Sequence, residues 1–177
     1  IDLSNLAIEK LNKKLAHLPH AGAVAQDFFS NEFKEAQFDL IYAYGVLHHF
    51  KNVDNLIEKL NDKLAPRGRI ISYDPLETSR PIWLLRKMYR PFQSDAAWEW
   101  PFNRKTVRKF ENKFNVIEKR GVLGNSKWYF VIKLLPISKN KKLNWGKRAH
   151  QNDWEKSSRS DKYLFRCMQL NMLMEKK

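Results

Sequence analysis

Two adjacent histidines and one aspartate in the middle of the chain could carry acid–base or binding chemistry. His48 and His49 stand side by side, and imidazole changes charge near neutral pH, so either side chain could take a proton from a hydroxyl group. Both could equally begin a helix that packs under a sheet. Asp74 follows a predicted strand, where a carboxylate either caps a loop or contacts a substrate.

Farther along the chain lies a basic and aromatic group of candidate substrate residues. Arg86 and Arg90 are one helical turn apart and could together clamp a carboxylate or phosphate, although both could also lie on a solvated face. Tyr89, Trp98 and Trp100 are large side chains with polar tips, which suit either a substrate pocket or a lid packed on the core.

Hydrophobic spacing predicts the elements that position these residues. Ser4 can cap a first helix that ends before Pro19, and apolar residues at helical spacing predict a second helix over residues 53–64. Strand candidates are residues 23–27, the apolar run 38–44, which we expect to be buried, and residues 69–73. This alternation predicts an α/β sheet with parallel strands and crossover helices.

The second half of the chain has a different pattern. We expect helices over 81–90 and 104–113, and strands over 114–123 and 128–135 that form an antiparallel hairpin through Gly124 and Asn125. Residues 136–160 should be a loop or a loosely ordered arm, before an ordered apolar pattern returns over 161–175. The predicted domains are therefore 1–135, with a lid segment over 77–113, and a basic extension over 136–177.

Charge separates the two halves of this 177-residue chain. Residues 1–76 carry 9 basic and 10 acidic side chains, residues 77–135 carry 13 and 5, and residues 136–177 carry 11 and 4, for a net charge of +14. An anionic partner for the second half follows from this asymmetry. A single cysteine excludes a disulfide framework and indicates a reducing compartment, so we expect a cytoplasmic protein.

Several segments together resemble a known family. IDLS at 1–4, Asp27, FDLIYAYGVLHHF at 38–50 and LAPRGRIISYD at 64–74 occur in the order and spacing of class I S-adenosylmethionine-dependent methyltransferases, and resemble the small-molecule type with an LHH motif after its fourth strand. The resemblance covers about residues 1–76 by motif and the predicted hairpin by topology. It implies a Rossmann-like, mostly parallel sheet with flanking helices and an antiparallel C-terminal hairpin.

The resemblance also implies S-adenosyl-L-methionine as cofactor and assigns residues to it. The position of Asp2 accepts hydrogen bonds from the ribose hydroxyls, and Asp27 accepts from the adenine amino group with Phe28 beside the ring. Backbone groups around Gly45 would face the methionine end, and Tyr44 would offer its ring to the sulfonium cation. His49 matches a position close to the cofactor pocket. No metal ligands are implied.

One departure from the family is large. None of the six glycines (22, 45, 68, 121, 124 and 146) forms the G-x-G of the family's loop after the first strand. We therefore expect the first strand and the glycine-rich loop to lie upstream, so that this chain is the C-terminal part of a longer enzyme and inactive alone. Whether such a truncation would be natural is open.

The sequence thus predicts methyl transfer to a small or lipid-like acceptor, with a preference for an anionic one. The alternative is a basic binding module for nucleic acid or an anionic membrane surface, in which apolar residues at 82–88 and neighbouring arginines would form an interfacial helix. Nucleic acid is the less favoured partner. Within the enzyme class, a nucleic-acid methyltransferase is disfavoured because AYGV at 43–46 stands where amino-methylating enzymes have an N-P-P-Y-like motif. The acceptor atom and the oligomeric state are left open.

Overall fold

The structure is a computed structural model that describes residues 1–30, 32–77, 83–84, 87–88, 90–92 and 98–177. The chain divides into two units, Ile1–Ala36 (unit 1) and Gln37–Lys177 (unit 2). Each unit has its own internal packing and is described by itself.

Unit 1 is organised by one capped helix, α1, over Asn5–Leu15. The Ser4 hydroxyl accepts a hydrogen bond from the first turn, which confirms the predicted cap. The Asn12 side chain of this helix exchanges two hydrogen bonds of 2.9 Å with the backbone of Ala23 and so holds the returning chain. The predicted strand over 23–27 is reduced to one parallel bridge between Asp2 and Ala25.

The described part of unit 2 is built on a four-stranded mixed sheet in the order β1-β2-β4-β3. The strands are β1 Phe38–Tyr44, β2 Leu64–Pro75, β3 Phe114–Val122 and β4 Gln169–Lys176. β1 and β2 are parallel, whereas β4 is antiparallel to both β2 and β3. The α/β class is therefore confirmed, with β4, from the region predicted as an extension, seated inside the sheet.

Helices connect and cover these strands. They are α2 Val53–Lys63, α3 Arg104–Lys113, α4 Tyr129–Leu134, α5 Lys139–Arg159 and α6 Asp161–Leu164, with short 3-10 helices at Leu47–His49, Arg90–Phe92 and Ser126–Trp128. The spacing of Leu56, Ile57 and Leu60 on α2 correctly predicted a buried stripe. These residues, Phe110 of α3 and Ile70 of β2 are at most 4% exposed, and burial of each such side chain contributes roughly 1.5–3 kcal/mol.

Two predictions for the second half are wrong. Residues 128–135 form no strand, because Ser126–Trp128 and α4 make this segment helical, so the antiparallel partner of β3 is β4 rather than a hairpin strand. Residues 136–160 are not a loop but contain the 21-residue helix α5. The buried residues of α5 are Gly146, Asp153 and Ser157, and a stripe of small and polar residues gives no hydrophobic periodicity.

β1 also differs from its prediction as a buried strand. Its side chains at Leu40, Tyr42 and Tyr44 are each more than half exposed, while Ala43 on the opposite face is buried. An apolar run alone cannot distinguish a strand covered on both faces from one covered on a single face.

Asp153 on α5 fixes the turn that follows β3. Its Oδ2 accepts hydrogen bonds from the backbone N–H groups of Gly124 and Ser126, both at 2.9 Å, and its Oδ1 accepts from Asn125 N at 2.8 Å and Tyr163 Oη at 2.5 Å. The carboxylate is fully buried. Four donors around one buried carboxylate make this the polar anchor between α5 and the sheet.

Replacing this anchor should be strongly destabilising. We expect Asp153→Ala to lower the free energy of unfolding by about 3 kcal/mol or more, because several buried donors lose a charged acceptor at once. Urea unfolding followed by circular dichroism measures the change. Asp62→Ala, at an exposed position on α2, is the matched control and should change stability by less than about 0.5 kcal/mol. Equal effects of the two substitutions would contradict the anchoring role.

The same carboxylate should make the free energy of unfolding depend on pH. Burial by itself raises the pKa of Asp153, but the hydrogen bonds from Ser126, Tyr163 and Asn125 outweigh it and hold the pKa below the ordinary 3.8. A group with a depressed folded-state pKa stabilises the fold above its ordinary pKa, and this contribution is lost as pH falls through the lower folded value. The stability difference between wild type and Asp153→Ala should therefore shrink from pH 7 to about pH 3. A constant difference would contradict the ionised anchor.

Candidate active site

The site begins at the end of β1, where the chain turns at Gly45. This residue has φ +64°, a conformation that glycine adopts without steric cost, and a Cβ built there would meet no atom within 4 Å. Its N–H donates to the carbonyl of Tyr73 at 2.7 Å, which joins the carboxyl ends of β1 and β2. The turn therefore places the following 3-10 helix, Leu47–His49, at this edge of the sheet.

His48 and Asp74 form a buried pair at that edge. Asp74 Oδ1 accepts from the backbone N–H of His48 at 3.1 Å and lies 3.0 Å from its Nδ1. The two residues are 7% and 0% exposed. Because an ionised carboxylate only accepts hydrogen bonds, Nδ1 carries the imidazole proton, and Nε2 is left as the nitrogen able to take one.

The other oxygen of this carboxylate is buried with no hydrogen-bond partner among the described residues. Buried polar atoms are rarely left in this state. A positive charge on His48 would therefore be balanced by a nearby carboxylate whose own hydrogen bonding is incomplete. Asp74 has no exposed surface in this structure, and its predicted contact with a substrate stays a prediction.

His49 is held in a different way. Its Nδ1 lies 2.8 Å from the carbonyl oxygen of Trp98, so this nitrogen must donate, and its side chain is exposed. The ring centroids of His48 and His49 are 4.1 Å apart. The backbone N–H of Trp100 donates to the carbonyl of His48 at 2.7 Å. The backbone of both tryptophans predicted as substrate residues therefore lies at the histidine pair, and the substrate roles of their side chains stay predictions.

Tyr44 lies beside an aromatic residue that the sequence prediction missed. Its ring is stacked on that of Tyr73, with centroids 4.8 Å apart and an angle of 5° between planes. The two residues are register partners on β1 and β2. Burial, together with the neighbouring Tyr44, raises the pKa of Tyr73 above its ordinary value, so the Tyr73 phenol stays protonated at neutral pH. The position of Tyr73 next to Asp74 was the available signal.

Asp2, Asp27 and Phe28, predicted to contact the cofactor, lie in unit 1. Asp2 Oδ1 accepts from Ser4 N at 2.7 Å, and Asp27 Oδ1 accepts from Phe29 N at 2.9 Å. Both carboxylates are exposed, and Phe28 is half-buried. Within unit 1, the bridge from Asp2 to Ala25 places the two carboxylates on adjacent chain segments. Their cofactor roles stay predictions.

The remaining predicted substrate residues cannot be placed in the same way. Arg86 and Tyr89 lie outside the described residues, and Arg90 begins the short helix Arg90–Phe92. The predicted arginine clamp therefore stays a prediction. Among the described residues, no group of three or more His, Cys, Asp or Glu side chains is arranged to hold a metal ion.

The fold of this chain is similar to that of known methyltransferases. The sheet has the class I methyltransferase architecture: NodS, an N-methyltransferase of Bradyrhizobium japonicum, matches 99% of this chain at a TM-score of 0.55 and 12% identity. Geranyl diphosphate C-methyltransferase of Streptomyces coelicolor also matches 99%, at a TM-score of 0.58 and 8% identity.

Part of the sequence is similar to a known family. Residues 1–70 match the family model of the methyltransferase domain. A highly reducing polyketide synthase of Aspergillus calidoustus is 35% identical over 75 residues, which is 40% of this chain. The chain spans 3% of that synthase, 64% of NodS and 63% of the geranyl diphosphate enzyme. This chain therefore has the class I methyltransferase fold, and its residues 1–70 are similar to the methyltransferase-domain model.

The hydrogen bonds of the histidine pair predict their tautomers. We expect both His48 and His49 to carry the neutral-state proton on Nδ1, which two-dimensional ¹H–¹⁵N spectra of the imidazole nitrogens detect directly. Asp74→Ala should move the proton of His48 toward Nε2 but leave His49 unchanged, since its partner is the Trp98 carbonyl. His17 and His20, both exposed, give the reference signals. Protonation of His48 at Nε2 in the wild type would contradict the pair.

Proposed function

We propose that this chain belongs to an S-adenosylmethionine-dependent methyltransferase in which His48 is the general base. The observation that carries the proposal is the buried pair of His48 with Asp74 at the carboxyl ends of β1 and β2. In open α/β sheets, ligands bind at this edge. The methyltransferase-domain match over residues 1–70 supplies the reaction class.

The residues of unit 2 at this edge of the sheet have the chemistry to contact the cofactor. The open space around Gly45 allows a ligand to approach the backbone, and the stacked rings of Tyr44 and Tyr73 offer aromatic surface that suits a sulfonium cation. Asp2 and Asp27 lie in unit 1, and the ribose and adenine roles that the resemblance gives them stay predictions. When bound, S-adenosylmethionine supplies the electrophilic methyl group.

The chain's own residues would prepare the acceptor. His48 Nε2 takes the proton that the acceptor atom loses as its bond to the methyl carbon forms, and the Asp74 carboxylate balances the charge of the resulting imidazolium. The Trp100-to-His48 hydrogen bond fixes the backbone of the base. Orientation of the two reactants contributes much of the rate enhancement in such a transfer.

We further propose a small or lipid-like acceptor with an anionic group. Support comes from the excess of basic residues after residue 76. Residues 77–135 hold 13 Lys and Arg against 5 Asp and Glu, and residues 136–177 hold 11 against 4, which attracts an anionic molecule to this part of the chain. Geranyl diphosphate, named in one structural neighbour, is an acceptor of this kind on the same fold. Carbon methylation is also consistent with a base that is buried and partly shielded from water.

The experiment follows a radiolabelled methyl group from S-adenosylmethionine to a panel of isoprenoid diphosphates, fatty acids and polyketide-like β-keto thioesters, with the full-length protein. We expect transfer to one of these classes, and His48→Ala should lower kcat by about 10²- to 10⁴-fold, because the base is removed. Binding of S-adenosylhomocysteine, measured by calorimetry, should be retained in this variant.

Two matched variants separate chemistry from folding. His20→Ala, at an exposed position in unit 1, should leave kcat unchanged. Asp74→Asn keeps a hydrogen-bond acceptor but removes the charge, so it should lower kcat and shift the pH profile while KM for the cofactor stays constant. Absence of S-adenosylhomocysteine binding would overturn the proposed function, and full activity of His48→Ala would overturn the role of the base.

A further inference from the structure

An apolar ridge projects from α4 and the residues beside it. It consists of Trp128, Phe130, Val131, Leu134 and Leu135, all more than 40% exposed. Leu134 is 81% exposed, an extreme value for a leucine within an ordered helix. Phe130, Val131 and Leu134 are spaced to share one face of the helix. Trp128 extends this face, since its ring centroid is 6.1 Å from that of Phe130.

The opposite face of α4 is fixed to α5, so the ridge is held outward. The Tyr129 ring packs so closely on Gly146 that a Cβ at this glycine would lie 2.9 Å from the ring. Lys142 Nζ donates to the carbonyl of Lys133 at 2.7 Å and ties the end of α4 to the first turns of α5. The ridge is therefore presented by a packed pair of helices.

The chain segment that carries the ridge is basic. Residues 126–152 contain seven Lys and Arg and no Asp or Glu. Lys139, Lys141, Lys147 and Arg148 are exposed on α5, and no ion pair within the described part of the chain involves them. Basic residues of α3 behave differently, because Lys109 and Lys113 pair with carboxylates of α2.

We propose that this ridge and its basic border bind the surface of an anionic lipid membrane. Exposed leucine, valine and aromatic side chains would enter the headgroup region, and the α5 lysines would meet lipid phosphates. The combination favours lipid over nucleic acid, because nucleic-acid surfaces use basic and stacking residues but gain little from exposed leucine and valine. Within the described residues, no helix has the length and apolar character needed to cross a membrane.

The test is co-sedimentation of the full chain with vesicles of phosphatidylglycerol and phosphatidylcholine in equal parts, compared with pure phosphatidylcholine. We expect binding to the anionic vesicles that weakens steeply with salt. The double variant Phe130→Ser, Leu134→Ser should lower the partition coefficient at least tenfold. Lys139→Gln with Lys141→Gln should lower it by about fivefold per lysine.

Matched controls use residues of the same kind elsewhere. Leu6→Ser, on the exposed face of α1, and the pair Lys105→Gln, Arg108→Gln on α3 should leave vesicle binding unchanged, and circular dichroism confirms folding. The proposal is overturned if the wild type does not bind anionic vesicles, or if it binds neutral and anionic vesicles equally. It is also overturned if the ridge variants bind like wild type, or if they lose only RNA binding or self-association. These outcomes do not depend on methyltransferase activity.

Discussion

The proposed functional edge of unit 2 depends on one buried carboxylate. Asp74 lies near the end of β2, and its Oδ1 is within hydrogen-bond distance of both the backbone N–H and the ring Nδ1 of His48. This single oxygen joins the segment after β1 to the end of β2, and the Trp100 N–H then joins the later segment to His48. A carboxylate with no exposed surface and one unpartnered oxygen is costly, so its presence at this edge favours a chemical role over a purely structural one.

The two histidines have separate roles in this arrangement. Both use Nδ1 to donate, but His48 donates to a buried charge and His49 to a main-chain carbonyl. Only His48 is therefore paired with a carboxylate, the arrangement expected of the proposed general base. His49 is exposed, with the Trp98 carbonyl at its Nδ1, and so is open to contact with a ligand.

The sequence predicted the elements whose packing is apolar and missed those whose packing is polar. The helical spacing of Leu56, Ile57 and Leu60 correctly predicted α2, because these apolar side chains face the core. Helix α5 was missed because the residues it buries are Gly146, Asp153 and Ser157, and the apolar run after Trp128 was mistaken for a strand because it faces outward. At the site, strand ends could be predicted, but the Asp74 partnership and the Tyr73 stack depend on register, which no local pattern contains.

The polar packing of α5 has a consequence for the surface of unit 2. Ser157 exchanges hydrogen bonds with the backbone of Gly121, and Asp153 holds the turn at Gly124, so α5 is fixed to the sheet through polar groups. Leu164 and Cys167, later in the same connection, are buried, whereas Leu134 remains 81% exposed. Exposed apolar side chains that the fold does not use carry a solubility cost, and a partner surface that covers them offsets that cost.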